Sequence, residues 1–273
     1  MSDVLRFVHI SDTHINPDEN YIKDYAQYTP IIGARALVDA VNALPFTPDF
    51  ILHTGDVAYD PDPSVYDAVA EVMSGFNAPV YYLAGNHDHP RALQRWLMGR
   101  EGDDLPAYVF YEFETKGVQI ACLDSNGPHD PNTPSGFVPE EQLEWLDGIC
   151  SSDNEQPLVI AVHHNVIPMG VPWLDNWMRI ENGEDFHRIL TRAAHRIRGV
   201  FFGHIHQNID VYRDGILYSA AASSWCQFMA YPMPENDRVI PDPTTPPGFS
   251  VVTVSEDRTF IRRHTFTTNA NHG

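Results

Sequence analysis

Polar residues that can bind metal ions follow several short apolar runs of this chain. The runs begin at residues 7, 50, 80, 158 and 200, and a group containing Asp, Asn or His follows each one. In chain order these groups are Asp12-Thr13-His14, Gly55-Asp56, Gly85-Asn86-His87-Asp88, His163-His164 and Gly203-His204-Ile205-His206. Their ligand atoms are nitrogen and oxygen without thiolate, which suits manganese, iron, zinc or cobalt without choosing among them. The pattern predicts a transition-metal site.

Asp56 is the residue around which this hypothesis is built. A carboxylate with two free oxygens can bridge two cations, and cations about 3.5–4 Å apart can clamp the attacking and leaving oxygens of a phosphoryl transfer. Gly55 precedes Asp56 and would let the backbone pass close to the ions. We therefore predict that Asp56 joins two metal ions and takes part in catalysis.

The apolar runs also predict the elements that position these groups. Short apolar runs without alternation are typical of strands buried on both faces, and residues beyond the carboxyl ends of such strands collect in one crevice. Amphipathic segments at residues 32–44 and 186–197 predict helices between the strands. Residues 107–114 and 118–124 predict an antiparallel hairpin within an inserted meander. The pattern as a whole indicates an α/β fold.

Alternation of side chains along an extended segment suggests roles for the paired histidines. In the pair His163-His164 only one ring should reach the metals, and we choose His163 because it ends the apolar run. His164 is then a residue of the substrate pocket or one that lies behind the ligands. The spacing of His204 and His206 should place both rings on one side, where they could serve two adjacent ions.

Two residues of the third motif have open roles. His87 can face the substrate instead of a metal. Asp88 either holds the His87 ring in one tautomer or caps the helix that follows. His53, within its strand, is expected to pack in the core.

Two loops complete the predicted site and its surroundings. Residues 165–184 form a long connection that is rich in proline and tryptophan, and long loops of this kind usually bind something. Trp173 is expected to form an apolar wall beside the metals, whereas Trp177 could equally well fill the core. Residues 235–247 are acidic and proline-rich, which predicts a surface loop.

Composition limits the class of protein and its partners. A chain of 273 residues with 43% hydrophobic residues predicts one domain over residues 1–273. No apolar stretch reaches about 18 residues, Met1-Ser2-Asp3 leads directly into the first strand, and the three cysteines are scattered, so we expect a soluble, cytoplasmic protein. The net charge of −20 disfavours bulk nucleic acid as a partner but allows a small phosphorylated substrate. Whether the chain forms a homodimer is left open.

The ordered set of motifs from Asp12 to His206 resembles the calcineurin-like metallophosphoesterases. The resemblance implies two mixed β-sheets packed face to face, with helices on the outside. It also implies two divalent or mixed-valence transition-metal ions, and it makes His87 the residue that stabilises the transition state or protonates the leaving group. By motif position, the first ion would be held by Asp12, His14, Asp56 and His206, and the second by Asp56, Asn86, His163 and His204.

Within that family the chain is most similar to class III cyclic nucleotide phosphodiesterases and the related glycerophosphodiesterases. The similarity rests on Gly-Asn-His followed by Asp88, and on the His163-His164 pair that leads into a Pro-Met-Gly loop. It implies that a hydroxide bridging the two ions attacks a small phosphodiester. The alternatives are a broad phosphomonoesterase, a hydrolase of nucleoside diphosphate derivatives, and a non-catalytic interaction scaffold of the same fold. Tyr59 matches a tyrosine of purple acid phosphatases, but His14 already fills that coordination position, so Tyr59 should pack behind the ligands.

Overall fold

The structure is a computed structural model of the chain, in which residues 4–128 and 133–268 are described. The prediction for Met1, Ser2 and Asp3 falls outside these ranges. Within them, the apolar runs form strands of two β-sheets, and helices lie against the outer faces.

The first sheet is mixed and has the strand order β11-β10-β1-β2-β3. Its strands are β1 (Leu5–Ile10), β2 (Phe50–His53), β3 (Val80–Tyr82), β10 (Gly248–Val254) and β11 (Thr259–Thr265). The first three strands run parallel to one another, and β10 pairs antiparallel with β1. The carboxyl ends of β1, β2 and β3 therefore lie at one edge of the sheet.

The second sheet is also mixed and has the order β4-β5-β6-β7-β9-β8. Its strands are β4 (Tyr111–Thr115), β5 (Val118–Cys122), β6 (Leu158–Ala161), β7 (Ile197–Phe202), β8 (Asp210–Arg213) and β9 (Ile216–Ala220). The predicted hairpin is confirmed as β4 and β5. The expected inserted meander is wrong, because β5 pairs in parallel with β6 and the hairpin forms one edge of the sheet.

Helices cover the outer face of each sheet. The helices α1 (Pro30–Asn42), α2 (Tyr66–Met73) and α3 (Pro90–Trp96) pack on the first sheet, and α4 (Glu140–Cys150), α5 (Pro172–Trp177) and α6 (Gly183–Leu190) pack on the second. Both helices predicted from periodicity are present, although each begins two or three residues earlier than expected and a 3₁₀ turn at Thr191–Ala193 follows α6.

Alternating side chains of the strands fill two different layers. In β1, Leu5 and Phe7 lie between the two sheets, whereas Val8 and Ile10 pack under the helices. Strand β6 does the same, with Val159 facing the layer between the sheets. Since both faces of β6 are buried, its sequence is continuously apolar, whereas β1 carries the exposed Arg6 and the buried His9 among its apolar residues. The expected fold of two mixed sheets packed face to face, with helices outside, is confirmed.

The two predicted loops differ from expectation in detail. Residues 165–184 include α5 and the start of α6, so the view of a connection without secondary structure is wrong. Residues 235–247 are mostly exposed, but Asn236 and Asp242 are buried and Asp242 N donates to Gln227 O. Among the described residues, no helix is both long and apolar enough to cross a membrane.

Candidate metal centre

The predicted site residues meet at the ends of the parallel strands. Strands β1 and β2 are neighbours in register, with Ile10 beside His53, so the segments that follow them are adjacent. Ends of both sheets open onto one cavity of about 120 Å³, which is lined by His14, Asp56, Asn86, His87, His204 and His206 among others. The sequence prediction that these groups share one crevice agrees with this geometry.

The first group of donors surrounds the Nε2 atoms of His14 and His206, which lie 3.0 Å apart. Asp56 Oδ2 is 3.5 Å from His14 Nε2, and Asp12 Oδ1 is 3.5 Å from His206 Nε2. His206 Nδ1 donates to the carbonyl oxygen of Cys226 at 2.9 Å, so its Nε2 presents a lone pair to the group. Four donor atoms on three different segments therefore converge on one point.

The second group forms around His163. Its Nε2 lies 3.3 Å from Asp56 Oδ2 and 3.2 Å from Asn86 Oδ1, while its Nδ1 donates to Thr54 O at 2.7 Å. The His204 ring is 5.0 Å from the His163 ring, and its buried Nε2 has no hydrogen-bond partner in residues 4–128 and 133–268. A buried nitrogen without a partner is costly, and a cation would satisfy it.

Asp56 joins the two groups through a single oxygen. Its Oδ1 accepts the backbone N–H of His87 at 2.9 Å, which leaves Oδ2 between His14 and His163. The premise of two free carboxylate oxygens is therefore wrong. Gly85 is needed beside it, because a Cβ at that position would lie 2.2 Å from Asp56 Oδ1. A side chain at Gly85 is therefore excluded by the carboxylate of Asp56, a candidate metal ligand.

Most of the non-glycine left-handed backbone of the described chain lies at the site. Seven non-glycine residues of the described chain have positive φ, and five of them are site residues, namely Asp12, His14, Asp56, His204 and His206. Left-handed backbone costs of order 1–3 kcal/mol for residues with a Cβ and clusters at functional sites. We expected an extended segment to place the rings of His204 and His206 on one side. That expectation is wrong, because the backbone turns at both residues.

His164 does not take the pocket role predicted for it. The chain bends at His163 and His164, and both rings approach His204, with centroids 5.0 and 4.3 Å away. His164 is fully buried, and its Nδ1 pairs with Ser125 Oγ at 2.6 Å. Because it has no exposed surface, His164 packs behind the site and cannot touch a substrate.

Asp88 has neither of the roles predicted for it. Its carboxylate accepts the backbone N–H groups of Val57, Ala58 and Gly85 and the hydroxyl of Tyr66, at 2.9–3.1 Å. The following helix is capped instead by His89, whose Nδ1 accepts the N–H of Ala92. Asp88 therefore ties together the two turns that carry Asp56 and Asn86.

Tyr59, which was expected to pack behind the ligands, orients the ring of His87. His87 Nδ1 donates to the backbone oxygen of Tyr59 at 2.6 Å, and the Tyr59 ring lies 5.5 Å from His87 and 5.9 Å from His14. Both residues line the cavity. The Tyr59 carbonyl, and not Asp88, sets the tautomer of His87.

Trp173 is not the apolar wall of the cavity. It is fully buried, and its Nε1 donates to Met229 O at 3.0 Å. The apolar lining consists instead of Tyr25, Met178, Trp225 and Phe228. The Trp225 ring lies 5.7 Å from His14, and Phe228 stacks on His206 at 4.8 Å. The sequence analysis missed Trp225 and Phe228, whose only signal was an aromatic cluster soon after the last histidine motif.

The electrostatics of the cluster suit cations. Burial raises the pKa of Asp12 to about 7. Burial opposes the charged forms of Asp56 and His163, yet their mutual attraction outweighs it, holding the pKa of Asp56 well below its usual range and raising that of His163 to about 9. Bound protons thus offset the negative charge of the buried carboxylates in this cluster. Divalent ions can take the place of those protons. The residues present fit two transition-metal ions.

Comparisons with known proteins agree with this geometry. The 3′,5′-cyclic adenosine monophosphate phosphodiesterase CpdA of Escherichia coli is 29% identical over 228 residues, which cover 82% of this chain and 78% of that protein. CpdA of Pseudomonas aeruginosa is 28% identical over 224 residues, covering 81% and 76%. These two enzymes are similar to this chain over most of their length.

Solved structures share the fold at low identity. A dimetal phosphatase from Danio rerio superposes with a TM-score of 0.63 at 16% identity, covering 96% of this chain and 99% of its own. A purple acid phosphatase from yellow lupin gives 0.65 at 14% identity, covering 97% of this chain and 52% of its own. The sequence model of calcineurin-like phosphoesterases matches residues 5–208, a span that includes every motif from Asp12 to His206. The chain is a member of the calcineurin-like phosphoesterase family of hydrolases.

Proposed function

We propose that this chain is a two-metal phosphodiesterase that hydrolyses small phosphodiesters of the cyclic nucleotide or glycerophosphodiester type. The observation that carries the proposal is the position of Asp56 Oδ2, within 3.5 Å of His14 Nε2 and 3.3 Å of His163 Nε2. One oxygen therefore belongs to both groups of donors. The names of the CpdA relatives support a diester as the substrate class.

The two groups of donors support one assignment of ligands to each ion. One ion would be held by Asp12, His14, Asp56 and His206, and the other by Asp56, Asn86, His163 and His204. When bound, such ions neutralise charge on the phosphoryl oxygens and lower the pKa of a water nucleophile. The protein holds the donors in place through carbonyl oxygens behind the rings, as Cys226 does for His206 and Thr54 does for His163.

His87 is placed to act as a general acid. Its Nδ1–H is held by Tyr59 O at 2.6 Å, so a second proton on the ring resides on Nε2. The carbonyl of Tyr59 also stabilises the imidazolium, because it accepts a hydrogen bond from the charged ring. His87 lines the cavity next to Asp56 and can deliver the Nε2 proton to the departing alkoxide.

The apolar part of the cavity favours diesters over monoesters. Trp225, Phe228 and Met178 line the same cavity as the charged donors, with Trp225 beside His14 and Phe228 stacked on His206. A diester places an organic group against these side chains, whereas a monoester places a second charged oxygen there and must desolvate it without compensation. The net charge of −20 further disfavours the more highly charged monoester.

A hydrolysis panel on enzyme with quantified metals tests the proposal. The panel pairs bis(4-nitrophenyl) phosphate with 4-nitrophenyl phosphate, and includes cyclic AMP, 5′-AMP and glycerophosphoethanolamine. We expect higher kcat/KM for each diester than for the matched monoester, and a selective loss of diester activity in Trp225→Ala. A monoester kcat/KM that equals or exceeds the diester value at saturating metal contradicts the proposal.

One observation favours a second candidate, a hydrolase of nucleoside diphosphate derivatives. The ammonium of Lys23 lies 5.3 Å from the Tyr59 ring at the cavity rim, and it pairs with no carboxylate among the described residues. A second anionic group on the substrate could use this charge. ADP-ribose therefore belongs in the panel, with Lys23→Gln compared with Lys116→Gln, a variant of a lysine that pairs with Asp49 at 2.7 Å.

A further inference from the structure

A groove of about 500 Å³ lies beside the catalytic cavity, between residues 133–135 and residues 175–181. The groove and the cavity share Pro134. Met178 lines the cavity, whereas its chain neighbours Trp177 and Arg179 line the groove. A substrate bound at the metal centre can therefore extend past Pro134 and Met178 into this space, called the Trp177 groove below.

Trp177 presents an aromatic face to the groove. Its side chain is 46% exposed, whereas Trp173, one helical turn earlier, is fully buried. Of the two roles left open for Trp177, filling the core is therefore excluded. Leaving so much indole surface in water forgoes hydrophobic stabilisation, which makes an exposed tryptophan next to a catalytic cavity a candidate binding surface.

The groove is lined by one cation, Arg179, and by the carboxylates of Asp175 and Glu181, which accept hydrogen bonds from other groups. The Asp175 carboxylate accepts the N–H groups of Met169 and Gly170 at 2.7 and 2.9 Å, and Glu181 Oε1 accepts Ser135 Oγ at 2.8 Å. Arg179 donates from Nε to Asp175 O at 3.0 Å, and its guanidinium forms no ion pair within residues 4–128 and 133–268. The groove thus combines an aromatic side chain with a guanidinium that forms no direct ion pair among the described residues.

The walls of the groove are fixed before any ligand arrives. Gly136 N donates to Arg179 O at 3.2 Å, and Glu181 N donates to Gly136 O at 2.7 Å. These bonds form a parallel bridge between Gly136 and Ile180 that joins the two segments. A preformed wall reduces the ordering cost of binding, as expected for a ligand subsite.

We propose that the Trp177 groove binds the nucleobase of a phosphodiester substrate, with the base stacked on Trp177 and its ring acceptors facing the N–H groups of Arg179. The inference rests on the proposed function, and it selects nucleoside phosphodiesters over glycerophosphodiesters, which the metal centre alone does not separate. Every base offers a π-face, and stacking on an aromatic side chain contributes about 1–3 kcal/mol. A glycerol group has no such face and gains nothing from the groove.

The test compares Trp177→Ala with Trp96→Ala, because Trp96 is equally exposed at 47% but lies at the end of α3 on the first sheet. Cyclic AMP and glycerophosphoethanolamine are the two substrates, with metal content measured in each preparation. Trp177→Ala should raise KM for cyclic AMP by about 5- to 150-fold, the equivalent of one stacked base, with little change in kcat. Hydrolysis of glycerophosphoethanolamine should not change, Trp177→Phe should recover most of the loss, and Trp96→Ala should match the unmodified enzyme.

Binding is also measured without turnover, by quenching of tryptophan fluorescence on titration with 5′-AMP. We expect quenching that is saturable and that is smaller in Trp177→Ala, with Trp225 of the cavity as the source of any remaining signal. Either an equal loss of activity on both substrates or an unchanged KM with unchanged quenching overturns the proposal. A change of oligomeric state in Trp177→Ala also overturns it, and would identify the groove as an interface between copies of the chain. If the unmodified enzyme hydrolyses neither diester, the proposed function fails, while the titration still decides whether the groove binds a base.

Discussion

Replacing Asp88 with alanine should destabilise the fold and weaken the metal centre together. The Asp88 carboxylate is 5% exposed and accepts hydrogen bonds from the N–H groups of Val57, Ala58 and Gly85 and from the Tyr66 hydroxyl. Three of these donors belong to the turns that present the candidate metal ligands. Without the carboxylate, those turns keep the bond from the N–H of His87 to Asp56 Oδ1 and the bond from His87 Nδ1 to Tyr59 O.

The size of the effect follows from two opposing contributions. Each of the four donors left without an acceptor costs about 1.5 kcal/mol, near the lower end of the range for buried groups. Against this, burial and the nearby Asp56 raise the pKa of Asp88 to about 6, so that burying its charge costs about 3 kcal/mol at pH 7, which the variant avoids. We therefore expect a loss of about 3 kcal/mol in the free energy of unfolding.

Urea denaturation at pH 7 and fixed free metal measures this loss, and elemental analysis gives the metal content per chain. Tyr66→Phe is the control, since it keeps the three amide bonds of Asp88 and removes only the hydroxyl, which donates to Asp88 and accepts the N–H of His89; it should cost about 2 kcal/mol and leave metal binding unchanged. Asp88→Asn should fall between the two, because its amide offers one acceptor oxygen. A loss below about 1 kcal/mol in Asp88→Ala, with metal content intact, would refute the reasoning.

Three further predictions concern individual histidines and the shared carboxylate. Asp56→Asn should lower the occupancy of both metals together, because its Oδ2 lies in both groups of donors, and retention of two full equivalents on metal analysis would count against the shared position. His87→Ala should keep its metals and lose about 10²–10⁴-fold in turnover, with a smaller loss for a nitrophenolate leaving group; equal losses would indicate charge stabilisation instead of proton transfer. Burial lowers the pKa of His53 to about 3, so its contribution to the free energy of unfolding should fall by up to about 1.4 kcal/mol per pH unit below pH 6.5, and His53→Gln should make the total decline shallower by that amount in denaturation curves recorded from pH 7 to 4.5.

Much of the fold and the positions of the candidate ligands followed from local sequence. Asp12 and His14 follow β1, and Asp56 follows β2, and these strands are parallel neighbours in register. Because parallel strands end at one edge of their sheet, polar motifs after buried strands must meet there. The continuous apolar character of β6 likewise required cover on both faces, which the two sheets and their outer helices supply.

The contacts behind the ligands could not be read in the same way. Asp88 was expected to bind its sequence neighbours, yet its partners include Val57 and Ala58, about thirty positions away. The turns at His204 and His206 have left-handed backbone, which the neighbouring motifs impose and no local propensity favours. Such features depend on segments that only folding brings together.

What the sequence by itself determined is the set of candidate metal ligands, because carboxylate, amide and imidazole groups at strand ends have few other uses. Only the tertiary structure decided which aromatic side chains line the cavity. Trp173 and Trp177 are one turn apart in α5, yet the first is buried and the second is 46% exposed. An indole can be buried or exposed, so its role depends on packing partners that are distant in the sequence. Phe228 packs against Trp173 and stacks on His206, and it takes the place at the cavity that Trp173 was expected to hold.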